Sequence, residues 1–168
     1  MLLGEHEFPK PIEEAPEPAR DLLLRIWQLL DYPRRRGALI GIDGLDGAGK
    51  STLAAWLSWQ CGIPVVSLDL YLYLSRRSRP LQWRSADLRR VLESRLNGEV
   101  RWPIIVEGIL LLDALSSVDQ APDFTVFVED ARTSGNLPEH TAPYFEAHHP
   151  REKADYVLRL GAGGSTWR

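Results

Sequence analysis

Apolar residues recur along this chain at two periods, and stretches of the two kinds alternate. Between residues 19 and 31, Leu22, Leu23, Ile26, Trp27 and Leu30 fall at helical spacing, which predicts an amphipathic helix packed on the rest of the domain. Pro33 ends it, and the run Arg34, Arg35, Arg36 reads as a solvated connector. Residues 38–43 are a short apolar run and predict a buried strand. A glycine-rich turn follows, and residues 50–60 read as a helix with Leu53, Ala54 and Leu57 inward. A second buried strand is expected at 65–70. A helix is expected from an N-cap at Ser85 through Leu88, Val91, Leu92 and Leu96 to Gly98. Further strands are expected at 104–110, 124–128 and 154–160, with a short helix at 143–148 bounded by Pro150. Strands that are almost wholly apolar and alternate with helices predict an α/β fold with a parallel sheet covered on both faces. Residues 1–18, rich in Pro and Glu, predict an extended lead-in. Residues 19–168, helix included, read as one domain without internal repeats.

Composition adds limits to this picture. At 168 residues and 44% hydrophobic, the chain suits a single domain with a real core. A net charge of −3 gives no electrostatic ground for a nucleic-acid partner. The single cysteine, Cys61, excludes an internal disulfide, fits a reducing cytoplasm and reads as a packing residue. Glu5 and Glu7 stand where a signal peptide would be basic, and no stretch is long and apolar enough to span a bilayer. A cytoplasmic protein without membrane contact is expected.

Candidate chemistry begins in the turn after the first strand. Residues Gly44, Leu45, Asp46, Gly47, Ala48, Gly49, Lys50 and Ser51 match G-x-x-x-x-G-K-[ST] in full, the Walker A or P-loop pattern, with a strand before and a helix after. Such a loop turns successive backbone N–H groups into one concavity for phosphate oxygens, and the following helix adds its positive end. Lys50 supplies a mobile full charge for the β- and γ-phosphates, and the Ser51 hydroxyl can ligate Mg²⁺. Thr52 follows at once. Asp69 stands at the carboxyl end of the second strand, followed by Tyr71. Ligands of open α/β sheets sit beyond those strand ends, so Asp69 is either an acid that orients an acceptor hydroxyl or a turn residue leaving a strand. Glu107 lies inside the apolar third strand, where a charge is costly unless a cation is near. Mg²⁺ is one candidate, and an ion pair with Lys50 or an arginine is the other.

Taken together, residues 42–52, 68–71, 106–110, 123–128 and the stretch from Tyr144 through Pro150 to Asp155 resemble the uridine kinase-like P-loop kinases, related to phosphoribulokinase and nicotinamide riboside kinase. The resemblance spans about residues 39–160. It implies a three-layer α/β/α sandwich whose five-stranded parallel sheet has the order 2-3-1-4-5. It implies ATP and Mg²⁺ as cofactors, with Lys50 and Ser51 on the triphosphate and metal and Glu107 in the metal's water shell. Asp69 would face the acceptor hydroxyl near the metal, and Tyr71 would line the acceptor pocket. The family's lid, a helical stretch with several arginines, would lie between the fourth strand and Tyr144. Here residues 130–140 contain Arg132 alone, with Gly135, Asn136 and Pro138 opposing a helix, so a shortened or missing lid is expected.

Arg76, Arg77, Arg79 and Arg84 follow the Asp69 segment and are candidates to bind an anionic acceptor or reach the γ-phosphate, or else form a solvated basic loop. Trp83 is a candidate to stack a planar acceptor. His140, His148 and His149 lack metal-type partners in sequence and read as surface or packing residues. The expected activity is ATP-dependent phosphorylation of a hydroxyl on a nucleoside-like metabolite. The alternative, favoured by the short lid, is a nucleotide-binding regulatory module.

Overall fold

The computed structural model describes residues 17–73, 81–130 and 141–160. Its sheet is built on two strands that are buried at every position, β1 (Leu39–Gly44) and β3 (Ile104–Glu107). Around them the order is β2-β3-β1-β4-β5, with β2 Val65–Ser67, β4 Phe124–Asp130 and β5 Tyr156–Leu160, every pair parallel. The centre of a parallel sheet with both faces covered needs strands buried along their length, and β1 and β3 supply them.

Alternation along each strand sorts the core into two layers. Ile40, Ile42, Val126, Val128 and Leu158 face α1 (Glu17–Leu29) and α2 (Lys50–Cys61), which contribute Leu22, Leu23, Ile26, Leu53, Ala54 and Leu57. Leu39, Val66 and Val106 share the opposite cluster with α3 (Ser85–Leu96) and α4 (Leu111–Ser116), whose Leu88, Leu92, Leu111, Ala114 and Leu115 are buried there. The last helix, α5 (Ala142–His148), precedes β5. Asp155 ties the starts of the outer strands, accepting from Thr125 N–H at 2.7 Å and from the Thr125 hydroxyl at 2.8 Å.

Several boundaries depart from the sequence pattern for physical reasons. The second strand stops at Ser67, where its partner β3 stops at Glu107, and a 3₁₀ turn over Leu68–Tyr71 takes over. Beyond the last ladder partner an extended chain has nothing to bond, so it turns. The apolar run 104–110 is likewise a strand only to Glu107. Leu110 takes φ 53°, and α4 then begins, a helix that the pattern did not predict. Short apolar runs carry no period that separates strand from helix. The first helix starts at Glu17, two residues earlier than expected, because proline is tolerated in a first turn.

The connector arginines are exposed, Arg34 paired with Asp31 and Arg35 donating to the Gly62 carbonyl. Cys61 is buried and its thiol is pushed up to about 11 by that burial, as a packing residue should be. No described helix is long and apolar enough to cross a membrane.

Candidate phosphate and acceptor site

The turn between β1 and α2 starts with Gly44 at φ 146° and ends with Gly49 at φ 94°, both in a region that L side chains rarely adopt. A Cβ on Gly44 would stand 2.5 Å from the Val128 carbonyl oxygen, so the strand-to-loop junction has no room for any other residue. Within the loop, Gly47 N–H donates to the Asp46 carboxylate at 3.0 Å and Ala48 N–H to the Leu45 carbonyl at 3.2 Å. The Ala48 side chain points into the core and is buried. The loop is thereby anchored from below while its outer face opens on a cleft of about 650 Å³.

Asp46, Gly47, Gly49, Lys50, Ser51 and Thr52 line one side of this cleft, and Asp69, Leu72, Glu107, Gly108 and Ile109 complete it. Lys50 is buried, and its Nζ donates to the Leu45 carbonyl at 2.8 Å. Burial pulls its pKa below the usual lysine value, while Asp43, Glu107, Asp46 and Asp69 act in the opposite direction. Glu107, buried at the end of β3, accepts the Ser51 hydroxyl at 3.1 Å. The costly charge in the third strand is thus held against the P-loop serine, with Lys50 close enough to feel it.

The set fits a magnesium ion. Ser51 Oγ and the Glu107 carboxylate are hard oxygen donors side by side, and Asp69 lines the same cleft. Among the described residues no group of three or more His, Cys, Asp or Glu could cage a metal. The Ser51–Glu107 pair of oxygens matches an ion which normally takes one or two protein oxygens and fills its octahedron with water and phosphate.

Asp69 sits in the 3₁₀ turn after β2, exposed to the cleft, so the structure brings it to the same space as Lys50, Ser51 and Glu107. Tyr71 lies elsewhere. It is half-buried against the α3–α4 core cluster, with the Arg84 guanidinium 5.8 Å above its ring. Leu72, which follows Tyr71, lines the cleft together with Asp69. Arg84 also donates to the Leu70 carbonyl and pairs with Asp87 at 3.4 Å, which holds it on its own turn. Trp83 packs against the same cluster. Arg76, Arg77, Arg79, Arg132 and His140 lie outside the described residues. His148 contacts Asp113 at 2.7 Å and belongs to the α4–α5 packing.

Leu72, Gly108 and Ile109 were not singled out by sequence. Nor was Asp43, although it shows the signal that marked Glu107, an acid closing an apolar strand.

No family model matches the sequence, and no curated protein matches it either. Among solved structures, the chain is similar to a possible uridine kinase from Bacillus stearothermophilus, with TM-score 0.57 and 20% identity over 83% of this chain and 98% of that one. Weaker likenesses include a sugar kinase from Janibacter sp. HTCC2649 (TM-score 0.45, 16% identity, 74% of this chain and 86% of that one). Shikimate kinase from Bacteroides thetaiotaomicron is another (TM-score 0.42, 17% identity, 77% and 90%). The strand order, the P-loop between β1 and α2 and the likeness at TM-score 0.57 give the chain a P-loop kinase fold.

Proposed function

We propose that this protein is an ATP-dependent, Mg²⁺-requiring kinase that transfers the γ-phosphate to a hydroxyl of a small, nucleoside-like metabolite in the cytoplasm. The observation that carries this reading is the placement of Asp69 on the same cleft as Lys50, Ser51 and Glu107, beyond the phosphate cradle. A site that only held nucleotide would need no acid there. In this reading the backbone from Gly44 to Ser51, with Asp46 and Thr52 at its rim, cradles the triphosphate. Lys50 faces the β- and γ-phosphates, and Ser51 with Glu107 holds the metal and its waters. Asp69 accepts the proton of the attacking hydroxyl or orients it. The acceptor lies towards Asp69, Leu72 and Ile109, with the Tyr71–Arg84 stack behind that turn and Arg76 and Arg77 following in sequence. The uridine kinase-like segments support a nucleoside or a related hydroxyl compound. The net charge of −3 argues against nucleic acid.

A second reading is favoured by one observation, the single arginine in residues 130–140. A P-loop protein with so little charge to close over the phosphates can serve as a nucleotide-binding regulatory module. Release of ADP across nucleosides, sugar phosphates and vitamin precursors, with Lys50→Ala as control, separates the two. Turnover that Lys50→Ala abolishes supports the kinase. Tight Mg-ATP binding with no transfer to any acceptor overturns it in favour of the module.

A further inference from the structure

Asp43 is a buried carboxylate that the proposed chemistry does not use. It is the residue of β1 just before Gly44, is 4% exposed and does not line the nucleotide cleft. Both of its oxygens are engaged. Oδ1 accepts the Gly44 N–H at 2.7 Å, and Oδ2 accepts the hydroxyl of Tyr144, which is itself buried on α5. The Tyr144 oxygen in turn accepts the Leu112 N–H of α4 at 3.2 Å. Beside it, the His148 ring lies 4.9 Å from the Tyr144 ring and is held by Asp113 of α4. α5 therefore reaches the carboxylate at the root of the P-loop through Tyr144, and α4 braces that tyrosine through Leu112 N–H.

An apolar residue at position 43 would be less costly to bury than a carboxylate. Among the described residues Asp43 forms no salt bridge, and Lys50, whose charge acts on it, bonds the Leu45 carbonyl instead. What the carboxylate does hold is the first N–H of the loop. Gly44 has no side chain to fix its orientation, and the wall at Val128 leaves little room on the other side. The orientation of that peptide sets how the chain enters the loop whose successive N–H groups form the anion concavity.

We propose that Asp43 and Tyr144 are a positioning pair for the phosphate site: Tyr144 on α5 holds the Asp43 carboxylate, and the carboxylate orients the opening peptide of the P-loop. This rests on the reading of the loop as a triphosphate site. It makes α5, the element that follows residues 131–140, a mechanical partner of the nucleotide cradle.

The test uses the full chain and Mg-ATP, with affinity measured by calorimetry and melting measured on the same samples. Tyr144→Phe and Asp43→Asn are each expected to weaken Mg-ATP binding roughly three- to tenfold, the scale of a partly lost charge-assisted hydrogen bond. The double variant is expected to lose no more than the worse single one, since the pair acts as one unit. Asp43→Asn is expected to do so with an unchanged or raised melting temperature, a combination that a purely structural role does not produce. Wild-type affinity in both variants, whatever their melting temperatures, overturns the proposal, as do losses that multiply in the double variant. Lys50→Ala separates the two levels. If it alone weakens Mg-ATP, the cradle stands and the positioning pair falls. If it too leaves affinity unchanged, the phosphate-site reading falls and takes the proposal with it.

Discussion

Replacing Asp43 by asparagine removes an ionisation that burial has displaced. Its carboxyl is pushed from the ordinary 3.8 to about 6, chiefly by burial, against the hydrogen bonds from Tyr144 and Gly44 and the charges of Lys50 and His148. The folded protein therefore holds this proton more tightly than the unfolded chain. Below the ordinary value both states are protonated, and Asp43 adds no pH dependence. As pH rises from 3.8 to about 6, the unfolded chain releases the proton first, and the folded state loses stability relative to it. A displacement of this size corresponds to a loss of up to about 3 kcal/mol, fully developed above the folded value. Asparagine cannot titrate, so the stability difference between wild type and Asp43→Asn isolates this one group from the other carboxylates. Urea unfolding of both proteins at a series of pH values measures it. The difference should move in favour of the variant as pH rises, by up to about 3 kcal/mol between about pH 4 and 7. A flat difference, or one moving in favour of wild type, would show that the two hydrogen bonds outweigh burial, and would refute the account of Asp43 as a carboxylate kept at a cost in stability.

Lys50→Ala should weaken Mg-ATP roughly ten- to a hundredfold, the range of a lost hydrogen bond to a charged group, while circular dichroism stays that of the wild type. Asp69→Asn should keep Mg-ATP affinity within about twofold and lower transfer by roughly 10²–10⁴, the usual share of a general base. Equal turnover by the mutant would make Asp69 a turn residue only. Chelating Mg²⁺ should weaken ATP binding, because Lys50 faces Glu107, Asp46 and Asp69 and the phosphates would add to that negative field. Titration with and without a chelator checks this. Leu23→Ala, in the fully buried face of α1, should cost about 2–5 kcal/mol in urea unfolding without changing Mg-ATP affinity measured well below the transition.

The presence of buried parallel strands and the place of the P-loop were legible because they rest on signals that do not depend on tertiary context, whereas the sheet order followed only from the resemblance to the uridine kinase-like P-loop kinases. Apolar runs of five or six residues mark strands buried on both faces, and glycines before Lys50 mark a loop that needs backbone no other residue adopts. Glu107 was legible because a charge in an apolar strand demands a partner. That the partner is the Ser51 hydroxyl depends on register between β1 and β3, which no local pattern encodes. α4 was missed because Leu110, Leu111 and Leu112 continue an apolar run across a break in the backbone at Leu110. The Tyr71–Arg84 stack escaped notice because it joins residues thirteen apart in sequence across segments whose own periodicity is silent. Asp43 carried the same signal as Glu107, but its partner comes from α5, 101 residues away.

α1, the first described helix, is completed by the last described strand. α1 packs on β5 as well as α2, and the Tyr156 hydroxyl of β5 donates to the Pro18 carbonyl across 138 residues of chain. Until β5 has left the exit tunnel, part of the surface that α1 covers does not exist, so Leu22, Leu23 and Ile26 stay without a full apolar seat until then. Closure of this contact spans nearly the whole domain, and loops of that length are slow to form. Until β5 is in place, α1 is thus an adhesive amphipathic segment for chaperones to shield, and its docking ends that exposure.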